Sequence, residues 1–257
     1  MASASAQKGF LYEKNAAAYL KDIGLCPKNF VPAGAGHDQP DLMLLYKGQE
    51  AGCELKITAA SAGSLVMKYN VQKQEWGFNP IPADEKEKLF IKELADEVGL
   101  WKIVNKKWDA KNKRPYKIDR KDQDALWKAT AGKLQGRERY TRDHGMFPEQ
   151  NGEIDSSKIE SYYNKKATYY VNVGTHGFYL LGHHNPYQLP AVPRFNQKAS
   201  AKWRARVQSK GGGTYQFTFE MTFSIQQKSP YNIAPILGSQ SVSIQKDRAD
   251  VSCFREL

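Results

Sequence analysis

Cysteine is scarce in this chain. Three residues, Cys26, Cys53 and Cys253, stand far apart among 257. An odd and scattered set builds neither a disulfide framework nor a CxxC zinc site, so the thiols are expected as small apolar fillers in a reducing, cytoplasmic setting. No run of about 18 apolar residues occurs, which excludes an apolar membrane-spanning helix. The opening Met1-Ala2-Ser3-Ala4-Ser5-Ala6 lacks the charged head and apolar run of a signal peptide. No P-loop, Gly-x-Gly-x-x-Gly or Gly-x-Ser-x-Gly string is present, so a nucleotide cofactor and serine-hydrolase chemistry gain no support. Internal repeats and long low-complexity linkers are also missing. Acid is the minority charge: 27 Asp and Glu stand against 38 Lys and Arg, a formal net charge of +11. An excess of that size suits a polyanionic partner, nucleic acid first. No basic helix with a strong apolar face accompanies it, so a membrane partner is not expected.

What the chain does contain is a patterned stretch from Gly36 to Lys56. It reads Gly36-His37-Asp38-Gln39-Pro40-Asp41, then Leu42-Met43-Leu44-Leu45-Tyr46, then Lys47-Gly48-Gln49-Glu50, then Ala51-Gly52-Cys53-Glu54-Leu55-Lys56. Two apolar runs around a glycine-containing turn predict a β-hairpin. With Gly48-Gln49 as a two-residue loop, Tyr46 stands opposite Ala51, Leu44 opposite Cys53, Met43 opposite Glu54 and Asp41 opposite Lys56. Side chains alternate faces along a strand, so Asp41, Glu54 and Lys56 share one face. Leu42, Leu44, Cys53 and Leu55 fall on the other, which suits a core. Diagonal neighbours lie about 7–8 Å apart at the backbone, close enough for Asp41 and Glu54 to converge on one hard cation.

Pro40-Asp41 and Glu54-Leu55-Lys56, on a hairpin in a basic chain, resemble the signature of the PD-(D/E)xK nuclease superfamily, most of all the type II restriction endonucleases. The resemblance covers about residues 10–60. It implies an α/β (α+β) protein whose restriction-endonuclease-like core is a mixed central sheet flanked by helices. It implies Mg²⁺-dependent hydrolysis of DNA phosphodiester bonds, with Mn²⁺ as an acceptable substitute. Asp41 and Glu54 would then be the metal-binding acids and the Leu55 carbonyl a further ligand. Lys56 would orient the attacking water, stabilise phosphate charge or act as a base. Glu13, on the first helix, would complete the site. Asp38 is the rival for the first acid, and His37 lies in the same loop. Cutting both strands of a palindrome requires two active sites, hence a homodimer on double-stranded DNA. A phage or repair nuclease acting on structured DNA, or a non-catalytic nucleic-acid-binding protein of the same fold, carries the same pattern. DNA and RNA are not distinguished by it.

The remaining chain is read as one nuclease domain in three parts. A catalytic core spans about 8–80, a helical and basic insertion about 81–166, and a β-rich, DNA-contacting part about 167–257. Helices are predicted over 7–23, ended by Gly24, and over 83–98, 119–131 and 156–166. Strands are predicted over 64–69, as a third strand after the hairpin, and over 169–173, 177–181, 202–209, 214–226 and 241–245. The pair around Gly211-Gly212-Gly213 forms a hairpin whose first strand alternates Trp203, Ala205 and Val207 with Arg204, Arg206 and Gln208. The latter three make a face able to read guanine and adenine edges or to grip phosphates. Lys106, Lys107, Lys111, Lys113 and Arg114 form a second basic run suited to phosphates. His183-His184-Asn185 resembles part of an HNH nuclease site, but its flanks lack the ββα pattern that such a site requires.

Overall fold

In the computed structural model, which describes residues 4–32, 39–58, 61–70, 75–78, 80–103, 106, 149–153, 156–195, 200–209, 215–223, 225 and 227–255, the first element is helix α1, Ala4–Asp22. Its buried residues Tyr12, Ala16, Tyr19 and Leu20 recur at helical spacing and form one apolar stripe. Gly24, at φ +78°, ends it. The Leu25 N–H donates to the Leu20 carbonyl at 2.8 Å and the Gly24 N–H to the Lys21 carbonyl at 3.1 Å, a Schellman closure that only a left-handed residue permits.

Strands β1 (Leu42–Tyr46) and β2 (Gln49–Lys56) form the predicted hairpin, but in a different register. Tyr46 pairs with Gln49, Leu44 with Ala51 and Leu42 with Cys53. The turn residues are therefore Lys47 and Gly48, not Gly48 and Gln49. Both have positive φ, 49° and 76°, the requirement of the tight turn whose twist matches a hairpin. Every partner moves by two residues, so the assignment of faces is unchanged: Leu42, Leu44, Cys53 and Leu55 are all buried in one core.

Two compact units emerge. The first comprises Met1–Ala60, Asp155–Ala199 and Phe223–Leu257. Its sheet runs β1-β2-β6-β7, with β6 over Thr168–Val173 and β7 over Gly177–Leu180. β2 and β6 are parallel while the outer pairs are antiparallel, so the sheet is mixed. The α1 stripe joins Leu42, Leu44, Cys53, Leu55 and Tyr170 on one face. Helix α3, Ser156–Asn164, packs against β6, and Val171 and Val173 occupy the opposite face in register with Glu54 and Lys56. The sheet thus has a helix on each side.

The second unit, Ser61–Ile154 with Ser200–Thr222, holds a five-stranded sheet in the order β4-β3-β9-β8-β5. These strands are β3 (Ser61–Asn70), β4 (Glu75–Phe78), β5 (Glu149–Glu153), β8 (Ser200–Ser209) and β9 (Tyr215–Phe223). Leu65, Met67, Phe219 and Met221 are buried, and α2 (Lys86–Glu97) packs against β3 with Phe90, Ile91 and Leu94 buried.

Three expectations are corrected. The strand over 64–69 exists but pairs with β9 in the second sheet and does not extend the hairpin. The region over 80–165 is not wholly helical, since β5 pairs with β8. Residues 241–245 form no strand; Gln245 donates to the Pro235 carbonyl and the Val242 carbonyl accepts from Asn15. His37, Asp38, Lys107, Lys111, Lys113, Arg114, the helix expected over 119–131 and the Gly211-Gly212-Gly213 turn lie outside the described residues.

Candidate active site

The carboxylate site begins with a proline. Pro40 precedes β1 and is buried. The register of the hairpin, continued one more hydrogen-bonded pair beyond Leu42 and Cys53, sets Pro40 opposite Leu55. Proline has no N–H, so it gives the Leu55 carbonyl no ladder bond. The Leu55 N–H donates to Asp41 Oδ2 at 2.9 Å. The carbonyl of a strand residue points to the same side as its N–H, so the Leu55 carbonyl is directed to the β1 side of β2, where Pro40 offers it no donor. The same continuation places Asp41 opposite Glu54, closer than the diagonal relation predicted. Gly52 makes this approach possible. A Cβ there would lie 2.8 Å from Pro40 Cβ and 2.5 Å from the Ala167 carbonyl oxygen.

Glu54 and Lys56 follow on the same face of β2, and the Lys56 ammonium donates to Glu54 Oε1. Glu13 arrives from α1. The Tyr12 hydroxyl donates to the Ala234 carbonyl at 2.7 Å and accepts from Asn172 Nδ2 at 3.1 Å, which fixes the rotation of the helix about its axis. Glu13, the next residue, then lies within the field of Lys56 and Glu54. Tyr163, buried on α3, adds a hydroxyl from the other side of the chain and interacts with Glu54, Lys56 and Asp41.

The electrostatics follow from crowding three carboxylates around one ammonium. Burial pushes the Asp41 carboxyl up, the neighbouring Glu54 and Glu13 push it further, and Lys56 and the Leu55 N–H oppose them, leaving it raised to about 8. Burial and Glu54 also raise Glu13, against Lys56. For Lys56 burial works against the charge, but Glu54 and Asp41 outweigh it and hold the amine well above the usual lysine range. Beside Glu54 and Asp41, Lys56 is a cation, suited to orienting a water or stabilising phosphate charge rather than to accepting a proton. Burial, reinforced by Glu54, raises the Tyr163 hydroxyl likewise.

Among the described residues no three His, Cys, Asp or Glu side chains form a ready metal cluster. The donor set is two facing carboxylates, a directed carbonyl and Glu13 nearby. That fits Mg²⁺, which keeps several waters and takes one or two carboxylates, better than Zn²⁺, which wants a closed nitrogen and sulfur set.

Asp41, Glu54, Leu55, Lys56 and Glu13 are therefore brought together. Arg204, Arg206 and Gln208 are not part of this unit. They occupy alternate positions of β8, an interior strand of the second sheet, and Arg204 is paired in register with Glu149, an acidic position on β5. Lys106 is exposed and also belongs to the second unit. Tyr163 was missed by sequence reasoning, since no local motif links it to a hairpin more than a hundred residues earlier. No family model matches this chain, and neither a curated protein nor a solved structure matches it.

Proposed function

We propose that the chain is a Mg²⁺-dependent endonuclease that hydrolyses DNA phosphodiester bonds, built on a restriction-endonuclease-like core formed by the first unit and most akin to a type II restriction endonuclease. One observation carries this reading: where the hairpin ladder ends, Asp41 is bonded to the Leu55 N–H and lies in the field of Glu54 and Lys56, which are bonded to each other. A mixed sheet with a helix on each side supports it, as does the charge of +11.

A bound Mg²⁺ supplies neutralisation of phosphate charge and a water acidified for attack. Asp41 and Glu54 would hold it, with the Leu55 carbonyl and Glu13 as the remaining donors the chain offers. Asp41 must lose its proton to do so. With Mg²⁺ held there, Glu54 would be one of its ligands, and the Lys56 ammonium on the same face would be placed to meet the non-bridging phosphate oxygens or the attacking water. A cut through both strands needs two such sites, so the active form is a homodimer. Part of the first sheet's edges is already occupied: Leu45 N–H donates to the Leu25 carbonyl on β1, and the Phe178 and Leu180 N–H groups donate to the Tyr231 and Pro193 carbonyls on β7.

Long genomic DNA incubated with Mg²⁺ and resolved on a gel tests the reading. Discrete bands mean sequence-specific cleavage and a smear means general cleavage; both disappear in Asp41→Asn. Intact DNA under all conditions overturns the proposal and leaves a nucleic-acid-binding protein of this fold.

A further inference from the structure

A second polar constellation lies on α3, outside the carboxylate site. Glu160 accepts the His183 backbone N–H at 2.6 Å, and its other oxygen meets His183 Nδ1 at 2.8 Å. A carboxylate only accepts, so Nδ1 carries the proton. These bonds, joined by the His184 N–H, hold Glu160 below the usual carboxylate range although burial works the other way. Gly182 makes room for the arrangement: a Cβ there would fall 2.1 Å from Glu160 Cδ. Glu160 itself is mostly buried, with a side chain 17% exposed, whereas the His183 side chain is 71% exposed. The loop is already tied to α3 through the backbone N–H. The imidazole bond is therefore not needed to close the fold, and it fixes an outward-facing ring at the cost of side-chain freedom. Nε2 lies on the edge opposite the one Glu160 holds.

α3 also carries Tyr163, one turn beyond Glu160 and within the field of Glu54 and Lys56. Lys165, exposed, and Lys166 follow directly. The imidazole is thus held by the helix that covers the carboxylate-bearing face, and these cations follow at that helix's end. We propose that His183, oriented by Glu160, is a phosphate-binding residue that donates from Nε2 to a backbone phosphate of duplex DNA flanking the one that is cut. With Nδ1 donating to Glu160 and Nε2 to a phosphate oxygen, the contact is a charge-assisted hydrogen bond to the anion. The proposal rests on the nuclease reading for its ligand but not for its test.

The test is anisotropy of a labelled 30-base-pair duplex in EDTA, where cleavage is off, across a salt series. His183→Ala keeps the loop-to-Glu160 backbone bond and is expected to fold as the wild type does, with an unchanged thermal midpoint. Its affinity should fall several-fold, and its salt dependence should lose about one phosphate contact. Gly182→Ala, which evicts Glu160 but leaves His183 in place, should weaken binding in the same direction. A folded His183→Ala protein with wild-type affinity and salt slope overturns the proposal, even if the wild type cleaves DNA. A wild type that never cleaves but whose binding falls on His183→Ala overturns the nuclease reading and sustains this one. A Gly182→Ala protein that binds as wild type does overturns the role of Glu160 in aiming the ring.

Discussion

Asp41 is the residue on which the proposed chemistry turns. Its folded pKa, raised to about 8, lies far above the unfolded value of about 3.9. A carboxyl raised on folding contributes stability that is complete below its unfolded pKa and is lost as pH rises through its folded one. Metal-free protein should therefore lose thermal stability between about pH 5 and 8, and Mg²⁺ should restore it at the alkaline end. Melts in EDTA check this: Asp41→Asn should flatten the slope, and a wild type whose stability climbs across that range contradicts it. Lys56→Met should reduce cleavage by about a hundred-fold or more, the scale of losing one charged stabiliser of a transition state, without weakening Mg²⁺ binding measured by titration calorimetry. Loss of cation binding in that variant would mean that Lys56 builds the site and does not serve the reaction. Tyr163→Phe keeps the buried ring and removes only the hydroxyl. It should slow turnover about ten-fold or more at unchanged KM, a loss of about 1.4 kcal/mol of transition-state stabilisation, because the hydroxyl lies in the field of Glu54, Lys56 and Asp41. Equal turnover would reduce Tyr163 to packing.

At the scale of elements, the hairpin shows which part of a pattern is robust. Its turn slid by one residue, and every cross-strand partner by two, because Lys47 and Gly48 both adopt positive φ, while the alternation of faces survived because its period is two. α1 was legible from its stripe and its glycine stop, and β6 and β7 from their apolar runs. β5, Glu149-Gln150-Asn151-Gly152-Glu153, carries no such signal. It is a strand because β8 offers it a hydrogen-bonding template, and no propensity reveals a template. Gly52 joins element to site. Gly52→Ala should cost about 1–3 kcal/mol by overpacking against Pro40 and Ala167, and should displace Asp41 from Glu54. Denaturant unfolding and a Mg²⁺ titration of the same variant check both effects. A destabilised protein with normal cation affinity would detach Gly52 from the site.

At the scale of the molecule, the chain divides into two units, and the larger share of its positive excess falls on the residues of the second. Affinity for duplex DNA should fall steeply and log-linearly with salt, because each neutralised phosphate releases counterion. A flat response in a binding assay would remove the polyanion reading altogether. Among the described residues no helix is long and apolar enough to cross a membrane. The sequence by itself determined the charge excess and the shared face of Asp41, Glu54 and Lys56, because composition and strand alternation are local properties that no folding step rearranges. Only the tertiary structure decided that Asp41 faces Glu54, that Glu13 and Tyr163 join them, and that the strand after the hairpin leaves for another sheet. Those outcomes depend on the parallel pairing of β2 with β6 and on the packing of α1 and α3, contacts between segments far apart in the chain whose energy no neighbouring residues encode.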